Sequence, residues 1–340
     1  FLFLPQNYFE YNTELLLPKL PIGNYLVYFE SDSDAKNQKA FAYEVITVSN
    51  ISVLATRQDK IENYQVLDRK TGKGSNWLNL YRENKVTRAL MDMASASSVV
   101  TDSAAASSSW GSGFRVKNGA LNVGINGEEY LPIWQKFKKA GKMAGCVTTV
   151  PITHATPAGF CVNSKSRNSQ DDIAESYLNL QFDVMMGGGQ KHFDANSRKD
   201  KKDLYSAFQA KGYQVVKTRS EMLSTSHDKP ILGVFFEDGL PYSIDRKNIK
   251  DLGNSVPTLA EMTQKAIDRM KTHKNGFVLQ VEAGKVDWAA HANDIAGLLY
   301  DQVAFDDAIK SIELQIRKIH EREKSHDRHT LRTMKVDAQD

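Results

Sequence analysis

Met143-Ala144-Gly145-Cys146-Val147-Thr148-Thr149-Val150-Pro151-Ile152-Thr153-His154-Ala155-Thr156-Pro157-Ala158-Gly159 runs from an apolar strand into a polar crest and then to a proline at a helix start. Met143 to Val150 reads as a strand. Polar residues just past its carboxyl end sit where open α/β sheets bind ligands. Outward from this stretch, strand and helix patterns alternate. Glu128 to Ala140 reads as a helix stopped by Gly141. Pro157 to Val162 and Asp171 to Leu180 read as helices, and Phe182 to Met186 as a strand before Gly187-Gly188-Gly189. Leu204 to Lys211, Leu259 to His273 and the segment from Asp294 onward are helical, with strands at Tyr213 to Val216, Ile231 to Phe236 and Phe277 to Val281. Such alternation predicts an α/β fold with a mainly parallel sheet.

The chain has 340 residues, 41% hydrophobic and 25% charged, a globular composition. Lys+Arg 44 against Asp+Glu 41 leaves a net charge of +3, too small to argue for a nucleic-acid partner. Nothing approaches the run of about 18 apolar residues that a membrane helix needs. Cys146 and Cys161 read as buried small hydrophobes rather than a disulfide framework. In the first 80 residues only Tyr43 to Val48 suggests a strand, and Asp59 to Ser75 is polar and loop-like. Beyond about Lys310 the apolar period thins into a polar tail, expected as a solvated helix or a disordered end.

Four constellations carry chemistry. Val100-Thr101-Asp102-Ser103-Ala104-Ala105-Ala106-Ser107 places a hydroxyl at the first turn of a helix, where unpaired N–H groups and the helix dipole welcome an anion. Ser103 is thus a candidate nucleophile, although Asp and Ser also form ordinary caps. His154 and Thr156 offer a nitrogen and a hydroxyl at the strand end; His154 alone also suits a structural histidine. Arg167 is a fork for two phosphate oxygens or a plain surface charge. In Val281-Glu282-Ala283-Gly284-Lys285-Val286-Asp287-Trp288-Ala289-Ala290-His291-Ala292-Asn293-Asp294, Glu282 closes an apolar strand. Asp287 and His291 lie four apart, on one helical face. Carboxylate plus imidazole at that spacing is a zinc half-site, and a carboxylate alone suits magnesium. An acidic first helical turn accounts for the same residues.

In order and spacing, these segments together resemble the alkaline phosphatase family: residues 100–106, 153–158, Arg167 and 281–293, with Lys117-Asn118-Gly119-Ala120-Leu121-Asn122-Val123-Gly124 and Gly187-Gly188-Gly189 between them. The resemblance covers about residues 85 to 310. It implies a three-layer α/β/α sandwich, incomplete at both ends, in which 1–84 is a divergent N-terminal region of the same domain, 85–310 the core and 311–340 a polar tail. It implies phosphate monoester hydrolysis through a phosphoserine at Ser103. Arg167 would grip two phosphate oxygens and Asp102 would orient Arg167. Asp287 and His291 would bind one zinc, Glu282 and Thr156 would hold magnesium or its water, and His154 would stand beside that metal's ligands. Small phosphate monoesters are the implied partners, with room for a homodimer, and a periplasmic or secreted location follows from the resemblance alone.

The pattern departs from the family at two places. Asn50 stands where an aspartate is expected between two metals, and amide oxygen is a poorer ligand for a dication than carboxylate. Nothing marks Asp59 as a substitute. No apolar strand leads into His326-Asp327 or His329, which are of the right type for a second zinc. These departures leave a rival of another class, a catalytically impaired homologue that binds phosphate or metal only. A relative acting on phosphodiesters or sulfate esters is disfavoured by the Asp-Ser-Ala context, since sulfatase relatives place a modified Cys or Ser before a Pro-x-Arg pattern that is missing here.

Overall fold

The structure, a computed structural model, describes residues 91–336 and, ahead of them, the strand backbones β1 (Leu2–Pro5), β2 (Gly23–Glu30), β3 (Phe41–Val48), β4 (Ile51–Ala55) and β5 (Tyr64–Asp68). Contacts divide the chain into two compact units, 1–88 with 289–299, and 89–288 with 300–340. In the first unit β2 pairs parallel with β1 and antiparallel with β3, while β4 and β5 form an antiparallel pair. The expected strand at Tyr43 to Val48 is β3. The loop-like reading of Asp59 to Ser75 misses β5. Asn50 and Asp59 lie outside the described residues.

The second unit is built on β6 (Met143–Pro151), β7 (Val184–Gly188), β8 (Gln214–Val216), β9 (Ile231–Val234) and β10 (Phe277–Glu282). They form one all-parallel sheet in the order β10-β6-β7-β9-β8. From β6 the chain moves to one side through β7 and later returns to lay β10 on the other. The β6/β10 boundary is therefore the topological switch point, where such sheets open a crevice at their carboxyl ends.

Alternate residues of each strand feed two cores. Cys146, Met185 and Leu232 face one layer with Trp134, Ile173, Tyr177, Phe182 and Phe208. Val147, Val184, Met186 and Ile231 face the other with Met222, Leu259, Met262, Ala266 and Met270. Helices on both faces make the three layers expected. Around the sheet run α1 (Ser103–Ser112), α2 (Ile133–Lys139), α3 (Ala155–Gly159), α4 (Gln170–Leu180), α5 (Leu204–Ala210), α6 (Arg219–Ser224), α7 (Ser243–Asn248), α8 (Lys250–Ser255), α9 (Leu259–Met270), α10 (Gly284–His291) and α11 (Ile295–Val336).

Several boundaries differ from the sequence reading. Helix α2 starts at Ile133 rather than Glu128, because residues 122–130 close a small hairpin: Gly124 N donates to Glu128 O at 2.8 Å and Val123 bridges Glu129. Gly127 takes a φ of +91°, which favours glycine, and the chain leaves the hairpin at Pro132, whose extended backbone starts the helix. Helix α3 begins two residues before Pro157 and ends at Gly159. The polar tail beyond Lys310 is helical through Val336, so the disordered alternative does not hold there; His326, Asp327 and His329 fall on that helix, their side chains outside the described residues.

Candidate active site

Small residues set the first piece of the site. Helix α1 reads Ser-Ala-Ala-Ala-Ser-Ser-Ser-Trp-Gly-Ser and ends on Gly113 in the left-handed conformation, φ +85°. A Cβ on Gly111 would collide with the carbonyl oxygen of Gly159, and one on Gly159 with Ser107. Residues 107 and 111 thus lie against the start and end of α3, and Ser107 Oγ donates to Ala155 O at 3.0 Å. The two helices run side by side in the same direction, bringing their N-termini to one end.

Asp102 caps α1. Its Oδ1 accepts from Ala105 N at 2.8 Å. Its Oδ2 accepts from Gly119 N at 3.0 Å and from Arg167 Nη1 at 3.1 Å. Both side chains of this ion pair are roughly three-quarters covered, at 25% and 22% exposure. Ser103, half-buried, is the first helical residue beyond the cap. Arg167 arrives from far along the chain through a short antiparallel bridge: Leu121 pairs with Ser164, and Arg167 N donates to Gly119 O at 2.7 Å.

The other terminal nitrogen of Arg167 reaches His154, with Nη2 and Nε2 3.3 Å apart. A guanidinium can only donate, so Nε2 accepts and the ring is neutral with its proton on Nδ1. Burial, and then the Arg167 charge, push the His154 pKa down to about 4, against weaker pulls from Asp287 and Asp238. The edge of the His154 ring meets Trp288 at 5.8 Å between centroids. Trp288 in turn lies over Gly239, where a Cβ would come within 2.8 Å of the indole. Lys285 Nζ sits 3.7 Å from the Tyr242 ring centroid and 4.7 Å from that of Trp288.

At the switch point, Glu282 ends β10 in register with Thr148 of β6. Thr148 Oγ1 donates to Glu282 Oε2 at 2.6 Å, and the nearby Thr156 hydroxyl also favours the charged form of this carboxylate. Burial raises the Glu282 pKa to about 7; the two hydroxyls hold it down and Asp287 raises it further. Asp287 is thus felt by both His154 and Glu282, which ties the two halves of the site together. Asp287 and His291 share α10 one turn apart.

A part-buried carboxylate flanked by hydroxyls is a hard-oxygen donor set, and its raised pKa reflects a position short of positive charge. Both suit a magnesium-like cation. Among the described residues no three His, Cys, Asp or Glu side chains gather into a metal-sized group. The structure therefore brings together Asp102, Arg167 and His154, and separately Glu282 with Thr156. The sequence reading assigned no role to Asn118, Gly119 or Thr148. An Asn-Gly pair is a turn signal, and a threonine ending a buried strand is a polar exception; those are the traces they leave.

A model of the alkaline phosphatase family matches residues 60–330. Alkaline phosphatase 3 of Bacillus subtilis is 36% identical over 277 residues, which is 75% of this chain and 57% of that protein. The crystal structure of Thermus thermophilus alkaline phosphatase superposes with a TM-score of 0.68 at 39% identity, covering 74% of this chain and 52% of that one. A TAB5 alkaline phosphatase variant with one histidine replaced by glutamate, described with Mg bound in its M3 site, gives a TM-score of 0.61 at 25% identity over 69% of this chain and 66% of its own. The chain spans about half the length of the first two. Matched over most of its length in sequence and in fold, the chain belongs to the alkaline phosphatase family.

Proposed function

We propose that this chain hydrolyses phosphate monoesters through a phosphoserine at Ser103. The carrying observation is the ion pair beside that serine: Asp102, the residue before it, holds Arg167 at 3.1 Å. Asp102 and His154 each engage one terminal nitrogen of the guanidinium, and each of those nitrogens keeps a second hydrogen for a phosphate oxygen. His154, neutral, adds no competing positive charge and fixes the plane of the fork.

In the first step the Ser103 oxygen, its proton given up to solvent, attacks phosphorus; the ester P–O bond breaks and the departing oxygen takes a proton from solvent to leave as the alcohol. In the second, water displaces the serine and releases inorganic phosphate. Such transfer depends on in-line placement and neutralised charge more than on covalent help. Arg167 and the free N–H groups of α1 supply part of that neutralisation. Glu282 and Thr156 would hold magnesium and Asp287 and His291 would hold zinc, and such ions would supply further positive charge and lower the pKa of hydroxyls bound to them. The magnesium assignment draws on the donor set and on the TAB5 variant. A homodimer working in the periplasm or outside the cell is proposed from family membership; among the described residues no helix is long and apolar enough to cross a membrane.

The test is release of 4-nitrophenol from its phosphate ester by the wild-type chain and Ser103→Ala, with zinc and magnesium supplied, and acid trapping of phosphorylated Ser103 followed by mass spectrometry. Turnover that vanishes in Ser103→Ala, with phosphate trapped on Ser103, is expected. Equal background rates in both proteins would overturn the reading and favour the rival, a homologue that binds phosphate or metal without turnover.

A further inference from the structure

The extended turn ahead of α1 has a partner that is not a strand. Asn118 Nδ2 donates to Val100 O at 2.9 Å, and Asn118 Oδ1 accepts from Asp102 N at 3.2 Å. A residue in a parallel ladder bonds its neighbour strand in that same pattern, donating to residue i−1 and accepting from residue i+1. Here i is Thr101, and a side-chain amide replaces the peptide group. Asp102 has the extended backbone such pairing needs, with φ −100° and ψ 171°.

The anchor of this amide is itself tied down. Asn118 N donates to Ser97 Oγ at 3.0 Å. The next residue, Gly119, donates its N–H to Asp102 Oδ2 at 3.0 Å and accepts from Arg167 N at 2.7 Å. Its φ of +82° needs glycine for conformation, while no atom lies within 4 Å of a Cβ there. Two consecutive residues thus hold the main chain of Asp102, the carboxylate of Asp102 and the main chain of Arg167.

From this juxtaposition we infer that Asn118 is a positioning residue for the proposed nucleophile: its amide sets the angle at which residues 100–102 enter α1 and so the line of approach of Ser103. The inference rests on the phosphomonoesterase reading. Asn118 is exposed. Its hydrogen bonds therefore compete with water and contribute little to global stability, while an error in nucleophile placement is costly in rate.

The experiment compares wild type, Asn118→Ala and Asn118→Asp in 4-nitrophenyl phosphate turnover, thermal unfolding and amide exchange. Asn118→Asp keeps the shape and the acceptor but sets an oxygen against Val100 O. Asn118→Ala removes both bonds without adding charge. Expected is a fall in kcat of about 10- to 100-fold in both variants. KM should stay within about twofold, because phosphate is gripped elsewhere. The Tm should change little. In Asn118→Ala the Asp102 amide should lose exchange protection, while the Ala105 amide, bonded to Asp102 Oδ1, keeps it.

An unchanged kcat in Asn118→Ala, a normal Asn118→Asp beside an impaired Asn118→Ala, or a loss confined to KM would overturn the inference. Absence of Ser103-dependent turnover in the wild type is a different failure. It refutes the phosphomonoesterase reading, and the clamp is then judged on Asp102 exchange alone, where unaltered protection in Asn118→Ala refutes it.

Discussion

Replacing Asp102 with alanine should remove more stability than a partly exposed carboxylate ordinarily carries. The side chain accepts from Ala105 N, Gly119 N and Arg167 Nη1. Loss of the helix cap costs about 1 kcal/mol. The part-buried Gly119 N–H, left without a partner, costs about another 1 kcal/mol. The ion pair, at about a quarter exposed on each side, adds up to about 1 kcal/mol after screening. The total of about 2–3 kcal/mol corresponds to a Tm lower by about 5–10 °C for a unit of this size. Asp102→Asn separates the parts. Asparagine caps as well as aspartate, so the Ala105 bond survives, but its NH₂ must then face two donors, Gly119 N–H and Arg167. Calorimetry should therefore rank wild type above Asp102→Asn and Asp102→Asn above Asp102→Ala, with the wild-type margin shrinking in high salt. Asp102→Ala within about 1 °C of wild type would refute the reasoning that one carboxylate joins these segments. Equal losses in the two variants would show that the cap contributes nothing.

Three further outcomes follow from other parts of the molecule. Gly111→Ala pushes a methyl into the Gly159 carbonyl, a backbone group that cannot rotate aside, so a loss of about 3 kcal/mol is expected in urea unfolding; a change under about 1 kcal/mol would mean the two helices are not in contact. His192 bonds Asp171 through Nδ1 at 2.7 Å while its Nε2 is buried without a partner, and burial holds its pKa below 6.5. The folded state then binds fewer protons than the unfolded one in the window below 6.5, so stability should rise with pH across it, and His192→Gln should flatten that slope in urea titrations at successive pH values. Glu282→Gln should weaken magnesium binding by calorimetry beyond the roughly 10- to 100-fold lost on mutating outer partners of a metal site; unchanged affinity would place the cation elsewhere.

How much could be read in advance depended on whether a signal was local. The cap of α1 was legible because Asp102 bonds Ala105, three residues on, within a run of small helix formers. The parallel sheet was legible because strand and helix patterns alternate along the chain, and the structure keeps that order. Competing local order defeated the same logic at Glu128, where an apolar period continued upstream while the Gly124–Gly127 hairpin took the backbone. Helices α7 and α8 bury none of their residues and so left no periodicity to find. Past Lys310 apolar spacing gave way to ion pairs such as Arg317 with Glu313, one turn apart, which sustain a helix without a hydrophobic stripe.

The candidate site shows the same division more sharply. Arg167 alone is indistinguishable from a surface charge; its meaning comes from Asp102, 65 residues earlier, and from the 121–164 bridge that delivers it. Resemblance singles out Arg167 because a family motif stores such long-range pairings as spacing. It leaves Asn118 and Gly119 without a role although both lie inside a family motif, because the Asn118 side chain bonds only the main chain of Val100 and Asp102, and Gly119 acts through its own main chain on the Asp102 carboxylate and the Arg167 amide. A residue whose work is done on another residue's backbone leaves no complementary side chain to notice. In this chain such residues, rather than the charged ones, are where the structure adds most to the sequence.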